Sequence, residues 1–285
     1  MHTQINNSIL ASLSADSYLL GSHWVYDEEQ LQNLPIDWES LNPPQAMWHK
    51  GKTAGDFTHY GDQSVFLLEY LQNHKTFDKK DFYSFWTSKM SSYKGYIDGA
   101  TRNALENIGS ANNDLSICGR IAPLLLVASS KDTFLHDISE LVTITHNSEL
   151  AKTATKFFAE LLWDTKENQD LQGNIQKLKQ NYPTLLKWID DGVASKTQDT
   201  FSVIRDFGPA CGIDGGFAGA IHLLSLGDDF KTTMQKNAKA GGDSSARGMA
   251  VAMILGIDKN FKLHDNWTKN INNINKIREY LHATI

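Results

Sequence analysis

Two aspartates stand in matching contexts far apart along this sequence. Asp62 and Asp243 each follow a glycine, each is followed two positions later by a serine, and each precedes an apolar run of helical length. A carboxylate at a helix N-terminus is stabilised by the free backbone N–H groups and by the helix dipole. Either aspartate alone is simply explained as a helix cap. Because the contexts repeat, we predict that the two carboxylates approach each other at one cleft and form a site for an ion or a ligand.

Side chains beside the aspartates could complete such a site. Neutral oxygen donors lie next to them at Gln63, Ser64 and Ser245. Arg247 lies one turn beyond Asp243 on the same helical face, and its planar guanidinium can bind a carboxylate in bidentate fashion. We predict that this guanidinium reaches the Asp62–Asp243 region and partly replaces a cation. The alternative is an exposed i,i+4 pair with Asp243 alone.

Groups that could transfer protons occur close to the first aspartate. His59 and Asp56 lie in the segment that leads to Asp62. A histidine paired with a carboxylate can act as a general acid or base near neutral pH. The alternative is that His59 only hydrogen-bonds the loop. The candidate catalytic residues are Asp27, Asp56, His59, Asp62 and Asp243.

Three further places could contact a ligand. His23 and Trp24 set an aromatic ring beside a polar group, which suits a ligand pocket, although a buried tryptophan is more often part of the core. Asp98 is typical of a helix N-cap, with a ligand contact as the second interpretation. Asp214 and Gly215 lie in a glycine-rich segment where the backbone can approach a phosphate or a ribose.

The elements that must hold these residues are helical. Apolar side chains recur at helical spacing in "KDFYSFWTSKM", "KDTFLHDISELVTITH", "SELAKTATKFFAELLWD" and the tail "NWTKNINNINKIREYLHATI". We find no paired strand–turn–strand signal. The segment 33–62 holds three of the six prolines and has no helical period, which predicts a long loop. We therefore expect an all-α fold, a compact multi-helix bundle, in a single domain spanning 1–285.

Composition excludes several classes of function. Acidic residues outnumber basic ones by 33 to 27, giving a net charge of −6, so nucleic acid is not expected as a partner except as a modified substrate. The longest apolar runs are too short to span a bilayer, and the N-terminus lacks a signal-peptide pattern. Cys118 and Cys211 lie far apart and outside any metal-ligand spacing. These features predict a cytoplasmic protein with free thiols and no membrane partner, and they leave its oligomeric state open.

Several motifs follow one another in a specific order along nearly the whole chain. They are "ADSYLLGSHWVYD", "AGDFTHYGDQS", "YIDGATRNALENI", "LSICGRIAPLL", "THNSELA", "CGIDGGFAGAIH" and "AGGDSSARGMAVAMILG". In this order they resemble the ADP-ribosylglycohydrolase family, which includes the lens protein crystallin J1. A lone "GGD" would carry no such resemblance. The fold of that family is a compact bundle of α-helices, in agreement with the helical periodicity.

The resemblance also implies a metal site. Active members of the family resemble one another in holding two magnesium ions between a Thr-Asp-Asp sequence at one helix start and an Asp-x-Asp-Thr sequence at another. Carried over onto this chain, these positions fall on Gly61, Asp62, Gln63, Asp243, Ser245 and Ala246. Only Asp62 and Asp243 keep a carboxylate, and His23 and Asp27 are the nearest candidates for a further ligand. Because hard cations need several oxygen ligands, we expect one Mg²⁺ or none in place of two, with Asp62 and Asp243 as the metal ligands.

The resemblance implies a divergent hydrolase that cleaves an N- or O-glycosidic bond at ribose in ADP-ribosylated protein, nucleic acid or small molecules. Asp62 and Asp243 would then orient the ribose, through one ion or directly, and Asp27, Asp56 or His59 would transfer the proton. The alternative is a non-catalytic binder of ADP-ribose or a nucleotide, or a structural, crystallin-like protein on the same scaffold. Loss of ligand positions favours this alternative, whereas retention of both glycine-preceded aspartates favours the enzyme.

Overall fold

A computed structural model describes residues 2–283 of the chain. In that range the regular secondary structure is helical, which confirms the predicted all-α bundle. The α-helices are α1 (His2–Leu19), α2 (Glu28–Gln32), α3 (His59–His74), α4 (Lys79–Ser91), α5 (Gly99–Leu105), α6 (Lys131–Thr145), α7 (Glu149–Asn168), α8 (Leu171–Leu178), α9 (Leu186–Ala194), α10 (Thr200–Phe207), α11 (Ile213–Ser225), α12 (Phe230–Ala240), α13 (Ser244–Gly256), α14 (Asp265–Lys269) and α15 (Ile274–Ala283). Short 3₁₀ helices span Met47–His49, Leu115–Arg120, Ala122–Leu126 and Lys179–Asn181.

Helices α1 and α13 pack against each other in the core of the bundle. Helix α13 is buried along nearly its whole length, as expected for a helix that is apolar on all sides. Small residues let the two helices approach, since a Cβ built on Gly256 would lie 2.8 Å from the Cβ of Ala11. The Ser8 hydroxyl also donates to the carbonyl oxygen of Met253 over 2.7 Å. This packing fixes Asp243, at the start of α13, relative to α1.

The periodic segments form helices where expected, with one difference in the tail. Helices α4, α6 and α7 cover the first three of those segments. The tail forms two helices because the chain turns at Asn273, whose φ is 60°. At the same turn the Asn272 backbone N–H donates to the carbonyl oxygen of Gly55 over 2.9 Å. The break therefore serves a contact between the C-terminal helices and the long loop.

The predicted loop is ordered and slightly shorter than its composition indicated. It contains the 3₁₀ turn Met47–His49 and ends at Thr58, which caps α3. The indole N–H of Trp267 in α14 donates to the carbonyl oxygen of Glu39 over 2.9 Å. The loop is thus tied to the C-terminal helices, and its second half leads directly into the start of α3.

The sequence also predicted free thiols and no membrane-spanning segment. Cys118 and Cys211 are both free, as their separation in the sequence indicated. Among the helices of residues 2–283, none combines the length and the apolar character needed to cross a bilayer.

Candidate functional site

Asp16 joins the starts of α3 and α13, although its sequence context did not single it out. Its buried carboxylate accepts the backbone N–H of Thr58 over 2.8 Å and the Thr58 hydroxyl over 2.6 Å. It also accepts the hydroxyl of Ser245 from the first turn of α13. Burial raises the pKa of Asp16 to about 6, although the hydrogen bonds from Ser245 and Thr58 oppose the rise. The two helix starts therefore come together at a shared carboxylate from α1.

The same carboxylate packs against two positions at which this chain departs from the metal-binding sequence that the resemblance implies. A Cβ built on Gly61 would overlap Asp16 Oδ2 and would lie 2.9 Å from the Cβ of Phe57, so a threonine does not fit there. Ser245 stands where the resemblance implies an aspartate, and its hydroxyl donates to Asp16. Gly61 and Ser245 therefore both pack against Asp16 at the helix starts.

Asp243 is fully buried at the N-cap of α13. Its Oδ1 accepts the backbone N–H of Ala246 over 3.1 Å, and its Oδ2 accepts the hydroxyl of Tyr60 over 3.0 Å. His23 Nδ1 lies 3.4 Å from Oδ1. Burial raises the pKa of Asp243, while the Ala246 N–H and the charge of Arg247 oppose the rise. This carboxylate faces a polar interior rather than solvent.

Asp62 lies in the first turn of α3 and has other partners. Its Oδ2 pairs with the ammonium of Lys52 and accepts the hydroxyl of Tyr93 over 2.6 Å. It lines a cavity of about 330 Å³ that also includes Asp56 and Glu69. Asp243 is not among the residues that line this cavity.

The prediction that Asp62 and Asp243 share one cleft is therefore corrected. The helix starts meet, but the structure gives the two carboxylates separate partners. The cause is their different positions on the helices. Asp243 is a cap and turns toward Tyr60, whereas Asp62 follows the cap Thr58 by a full turn and points toward Lys52.

Three buried imidazoles lie side by side near Asp243. We call His23, His49 and His59 the histidine cluster. The ring centroids of His23 and His49 are 5.2 Å apart, and those of His49 and His59 are 5.6 Å apart. Both ring nitrogens of His49, Nε2 of His23 and Nδ1 of His59 have no hydrogen-bond partner in the part of the chain that the structure describes. Buried polar atoms without a protein partner point to a ligand or to ordered water. His49 was not predicted from the sequence.

The histidine cluster should make the fold sensitive to acid. Burial and the neighbouring charges of His59 and Lys52 lower the pKa of His49 to about 3. Between pH 6.5 and 3 the unfolded chain therefore binds a proton at His49 that the folded chain does not, and stability falls as the pH falls, by up to about 1.4 kcal/mol per pH unit. Urea unfolding from pH 7 to 4 should show a shallower decline for His49→Asn than for the wild type. The exposed His74→Asn serves as control, and equal slopes for all three proteins would contradict the assignment.

His59 is held by a carboxylate from another helix. Asp98 is the N-cap of α5, as expected, and its Oδ1 accepts the backbone N–H of Thr101 over 2.6 Å. Its Oδ2 lies 3.2 Å from His59 Nε2. Burial alone would raise the pKa of Asp98, but the contact with His59 and the hydrogen bond from Thr101 hold it below its ordinary value. Asp98 therefore remains ionised and orients the imidazole.

Aromatic side chains surround the outer side of the histidine cluster. We call Trp24, Trp48 and Tyr96 the aromatic rim. The Trp24 ring lies 4.5 Å from His23 and 5.0 Å from Tyr96, and Trp48 lies 5.8 Å from Tyr96. Trp24 has a φ of 62° and donates its backbone N–H to the carbonyl oxygen of Gly242 over 2.7 Å. Trp48 is 51% exposed, so the rim offers an accessible apolar surface to a planar group.

Asp114 and Cys211 lie near the same carboxylates, and neither was predicted as part of a site. The backbone N–H of Leu115 donates to the carbonyl oxygen of Cys211 over 2.8 Å, which pairs the two segments. Burial, together with the charge of Asp98, raises the pKa of Asp114 to about 6. Asp114 can therefore exchange a proton near neutral pH. Its pairing with a segment about a hundred residues away left no local signal in the sequence.

Two candidate catalytic aspartates lie outside the histidine cluster. Asp27 is exposed and caps α2, where it accepts the backbone N–H of Gln30 over 2.7 Å. Asp56 accepts the backbone N–H of Thr53 over 2.7 Å and the side-chain amide of Asn272 over 2.9 Å. Both carboxylates stabilise local turns, and neither contacts the histidines of the cluster through a hydrogen bond in the described residues.

The glycine-rich start of α11 is also structural. Asp214 is exposed in the first turn of that helix. A Cβ built on Gly215 would lie 2.6 Å from the carbonyl oxygen of Gly208. Gly215 therefore permits close packing of the chain against Gly208. This packing explains the glycine without a bound ligand.

Gln63 and Ser64 face the interior of the bundle. Gln63 Oε1 accepts the guanidinium of Arg120 over 2.7 Å and the indole N–H of Trp86 over 3.1 Å, and its amide donates to Thr101 over 3.2 Å. Ser64 is buried on the same helix. Gln63 stands at one of the positions where the resemblance implies a metal ligand. Its side chain takes part in a buried polar network instead.

The buried guanidinium of Arg247 binds backbone carbonyl groups, which corrects its predicted pairing with the carboxylates. It donates to Asn237 Oδ1 over 3.1 Å, to the carbonyl oxygen of Pro209 over 3.1 Å and to that of Gly241 over 2.5 Å. The φ of Gly241 is 67°, and the turn that this conformation makes directs carbonyl groups inward. Only the charge of Arg247 acts on Asp243, through space.

The comparisons with known proteins agree with this fold. The family model described as ADP-ribosylglycohydrolase matches residues 3–284. The chain belongs to the ADP-ribosylglycohydrolase family. It is 23% identical to crystallin J1A of Tripedalia cystophora over 315 residues, covering 96% of this chain and 93% of that protein. It is 24% identical to crystallin J1B of the same organism over 279 residues, covering 86% and 84%.

A solved structure supports the fold independently. A chain described as "ADP-ribosylglycohydrolase-related protein complex" superposes with a TM-score of 0.80 and covers 99% of this chain and 97% of its own. At 17% identity this likeness shows the shared fold alone.

The family is typically metal-dependent, and the residues of this chain fit a two-magnesium centre poorly. Within residues 2–283, no group of three or more His, Cys, Asp or Glu side chains is placed to hold a metal ion. The Asp62 carboxylate is bound by Lys52 and Tyr93, and that of Asp243 by Tyr60 and a backbone N–H. Magnesium, which prefers six oxygen ligands in a regular shell, would have to displace these partners.

Proposed function

We propose that this chain hydrolyses a glycosidic bond at the ribose of ADP-ribosylated molecules and that the histidine cluster forms its active site. The observation that supports this most is the buried His59–Asp98 pair beside Asp243, where ring nitrogens lack protein partners. Membership of the ADP-ribosylglycohydrolase family indicates the substrate class. Of the three candidates for proton transfer, Asp27, Asp56 and His59, we assign the step to His59.

Asp243 and Tyr60 suit the binding of ribose hydroxyl groups. The carboxylate is fixed by the Ala246 N–H and the Tyr60 hydroxyl, so it needs no reorganisation when a ligand hydroxyl binds. The aromatic rim lies on the outer side and can pack against a planar base. Asp62 has no role in this proposal because its carboxylate lines another cavity, together with Asp56 and Glu69.

His59 can serve as the general base. An ionised carboxylate only accepts hydrogen bonds, so a neutral His59 carries its hydrogen on Nε2, toward Asp98, and leaves Nδ1 as an acceptor. Nδ1 takes a proton from water as the water oxygen bonds to C1 of the ribose. The bond from C1 to the acceptor's nitrogen or oxygen breaks, and that atom takes a proton from Asp114, whose pKa is about 6.

Release of ADP-ribose from defined substrates tests the proposal. The full chain would be assayed on peptides ADP-ribosylated at arginine or serine, on ADP-ribosylated DNA ends and on a small ribosyl ester. We expect release from at least one substrate, and a fall in kcat/KM of about 100-fold or more in Asp243→Asn. Asp27→Asn, a replacement at the exposed cap of α2, should stay within about twofold of the wild type. No release above the rate without enzyme on any substrate would contradict the proposal.

A second function is favoured by the similarity to crystallins J1A and J1B over most of their length. On this proposal the chain binds ADP-ribose or a nucleotide without turnover, or serves as a structural protein. Calorimetric binding of ADP-ribose that Asp243→Asn weakens, with no turnover in the assay above, would support binding without catalysis.

A further inference from the structure

We propose that the ammonium group of Lys52 takes the place of a divalent cation at Asp62. The inference goes beyond the proposed function, because it concerns the charge balance at the start of α3 and holds whether or not the chain is a hydrolase. It follows from a disagreement between a typically metal-dependent family and the partners that Asp62 has in this chain.

Two side chains bind one carboxylate oxygen of Asp62. Lys52 Nζ pairs with Oδ2, and the side chains of Lys52 and Asp62 are only 17% and 19% exposed. The Tyr93 hydroxyl donates to the same oxygen over 2.6 Å, and Lys52 Nζ lies 5.8 Å from the centre of the Tyr93 ring. A pair that is mostly buried and hydrogen-bonded by a third group is held more firmly than an exposed one.

The surroundings of Asp62 require a positive charge. Its cavity also presents the carboxylates of Asp56 and Glu69, and its charge contributes to the raised pKa of the buried Asp16. Like charges that share a partly buried cavity destabilise one another unless a cation or a proton intervenes. The chain supplies lysines for this purpose, since Lys89 pairs with Glu69 as Lys52 pairs with Asp62.

A turn in the loop places Lys52 beside Asp62. The Lys52 backbone N–H donates to the carbonyl oxygen of His49 over 3.1 Å across a turn in which Gly51 has a φ of 91°. One turn thus places His49 in the histidine cluster and Lys52 on Asp62. The ion pair therefore joins the loop, which carries part of the cluster, to the helix start.

Thermal unfolding of the full chain with and without Mg²⁺ tests the inference. The wild type, freed of metal with EDTA, should show the same melting temperature in 10 mM MgCl₂ and in KCl of equal ionic strength. Lys52→Met should melt roughly 2–5 °C lower in KCl, because the Asp62 carboxylate loses its cation. It should recover part of that loss in MgCl₂, with a dissociation constant on the order of 1 mM, since hard oxygen ligands are then free. Lys52→Arg should behave like the wild type.

Lys89→Met is the matched control, because it removes the lysine of the neighbouring pair in the same cavity and leaves Asp62 bound. Its melting temperature should respond to Mg²⁺ less than that of Lys52→Met, because Lys52 still neutralises Asp62 in the shared cavity. A wild type that binds Mg²⁺ by calorimetry and loses that binding in Asp62→Asn would overturn the inference. So would a Lys52→Met variant that neither melts lower nor responds to Mg²⁺. Neither outcome depends on the ADP-ribose assay, so a failure here leaves the proposed function to its own test.

Discussion

Replacing His59 with glutamine should lower kcat for ADP-ribose release by about 10²–10⁴-fold, the range expected when a general base is removed. Glutamine keeps a polar side chain of similar reach but cannot take a proton from water. KM should change less than about threefold, because the proposed contacts of the ribose are with Asp243 and Tyr60. Steady-state kinetics on the best substrate of the panel measures both quantities.

Two further variants show whether the loss of kcat in His59→Gln is caused by disruption of the His59–Asp98 pair. Asp98→Asn should lower kcat by a similar factor, because an amide can donate to Nε2 and so favour the wrong tautomer of His59. His74→Gln replaces an exposed histidine at the other end of α3 and should leave kcat unchanged. A His59→Gln variant as active as the wild type would place the base elsewhere.

Replacing Asp16 with asparagine should lower the free energy of unfolding by about 2–4 kcal/mol. The carboxylate accepts three hydrogen bonds from Thr58 and Ser245 in a fully buried position. An asparagine sets an NH₂ group against one of those donors and leaves it unpaired. Urea unfolding near pH 7.5, where the carboxylate is ionised in the folded chain, measures the difference.

Asp27→Asn is the control for this measurement. Asparagine and aspartate are similar N-caps, so this replacement at α2 should change stability by less than about 0.5 kcal/mol. A loss of under about 1 kcal/mol in Asp16→Asn would mean that Asp16 does not hold the two helix starts together. Activity should fall in Asp16→Asn as well, because His59 and Asp243 stand at those starts.

The helices could be predicted because their signal is local. The apolar periods of α4, α6 and α7 span whole elements, and the cap at Asp98 lies three residues from the N–H that it accepts. The break in the tail could not be predicted in this way. It depends on a left-handed Asn273 and on a hydrogen bond from Asn272 to Gly55, more than 200 residues away in sequence.

The candidate site could be predicted only in part. Asp243, His59 and His23 were found because each lies beside a glycine turn or an aromatic residue at the end of a periodic segment. Asp16 was missed because it lies within α1, where a single aspartate has no local pattern. The sequence did contain one signal for Asp16. It is a charged residue among the serines, alanines and leucines of a helix that is otherwise buried.

The absence of a local sequence signal also explains why Arg247, and not Lys52, was predicted as the positive charge beside the aspartates. The helical spacing of Arg247 and Asp243 indicated an arginine beside the carboxylates, but the turn at Gly241 provides that guanidinium with carbonyl oxygens. The positive charge at Asp62 comes from Lys52, in a loop without periodicity. Loop contacts of this kind depend on turn geometry, which spacing in the sequence does not reveal.

The rate at which the full chain releases ADP-ribose, measured side by side in excess EDTA and in 5 mM MgCl₂, tests most directly whether the histidine cluster is an active site that works without a divalent cation. We predict release in both buffers at rates within about twofold, and loss of release in His59→Gln in both. Release that disappears in EDTA and returns with Mg²⁺, or release that His59→Gln retains in full, would contradict the prediction.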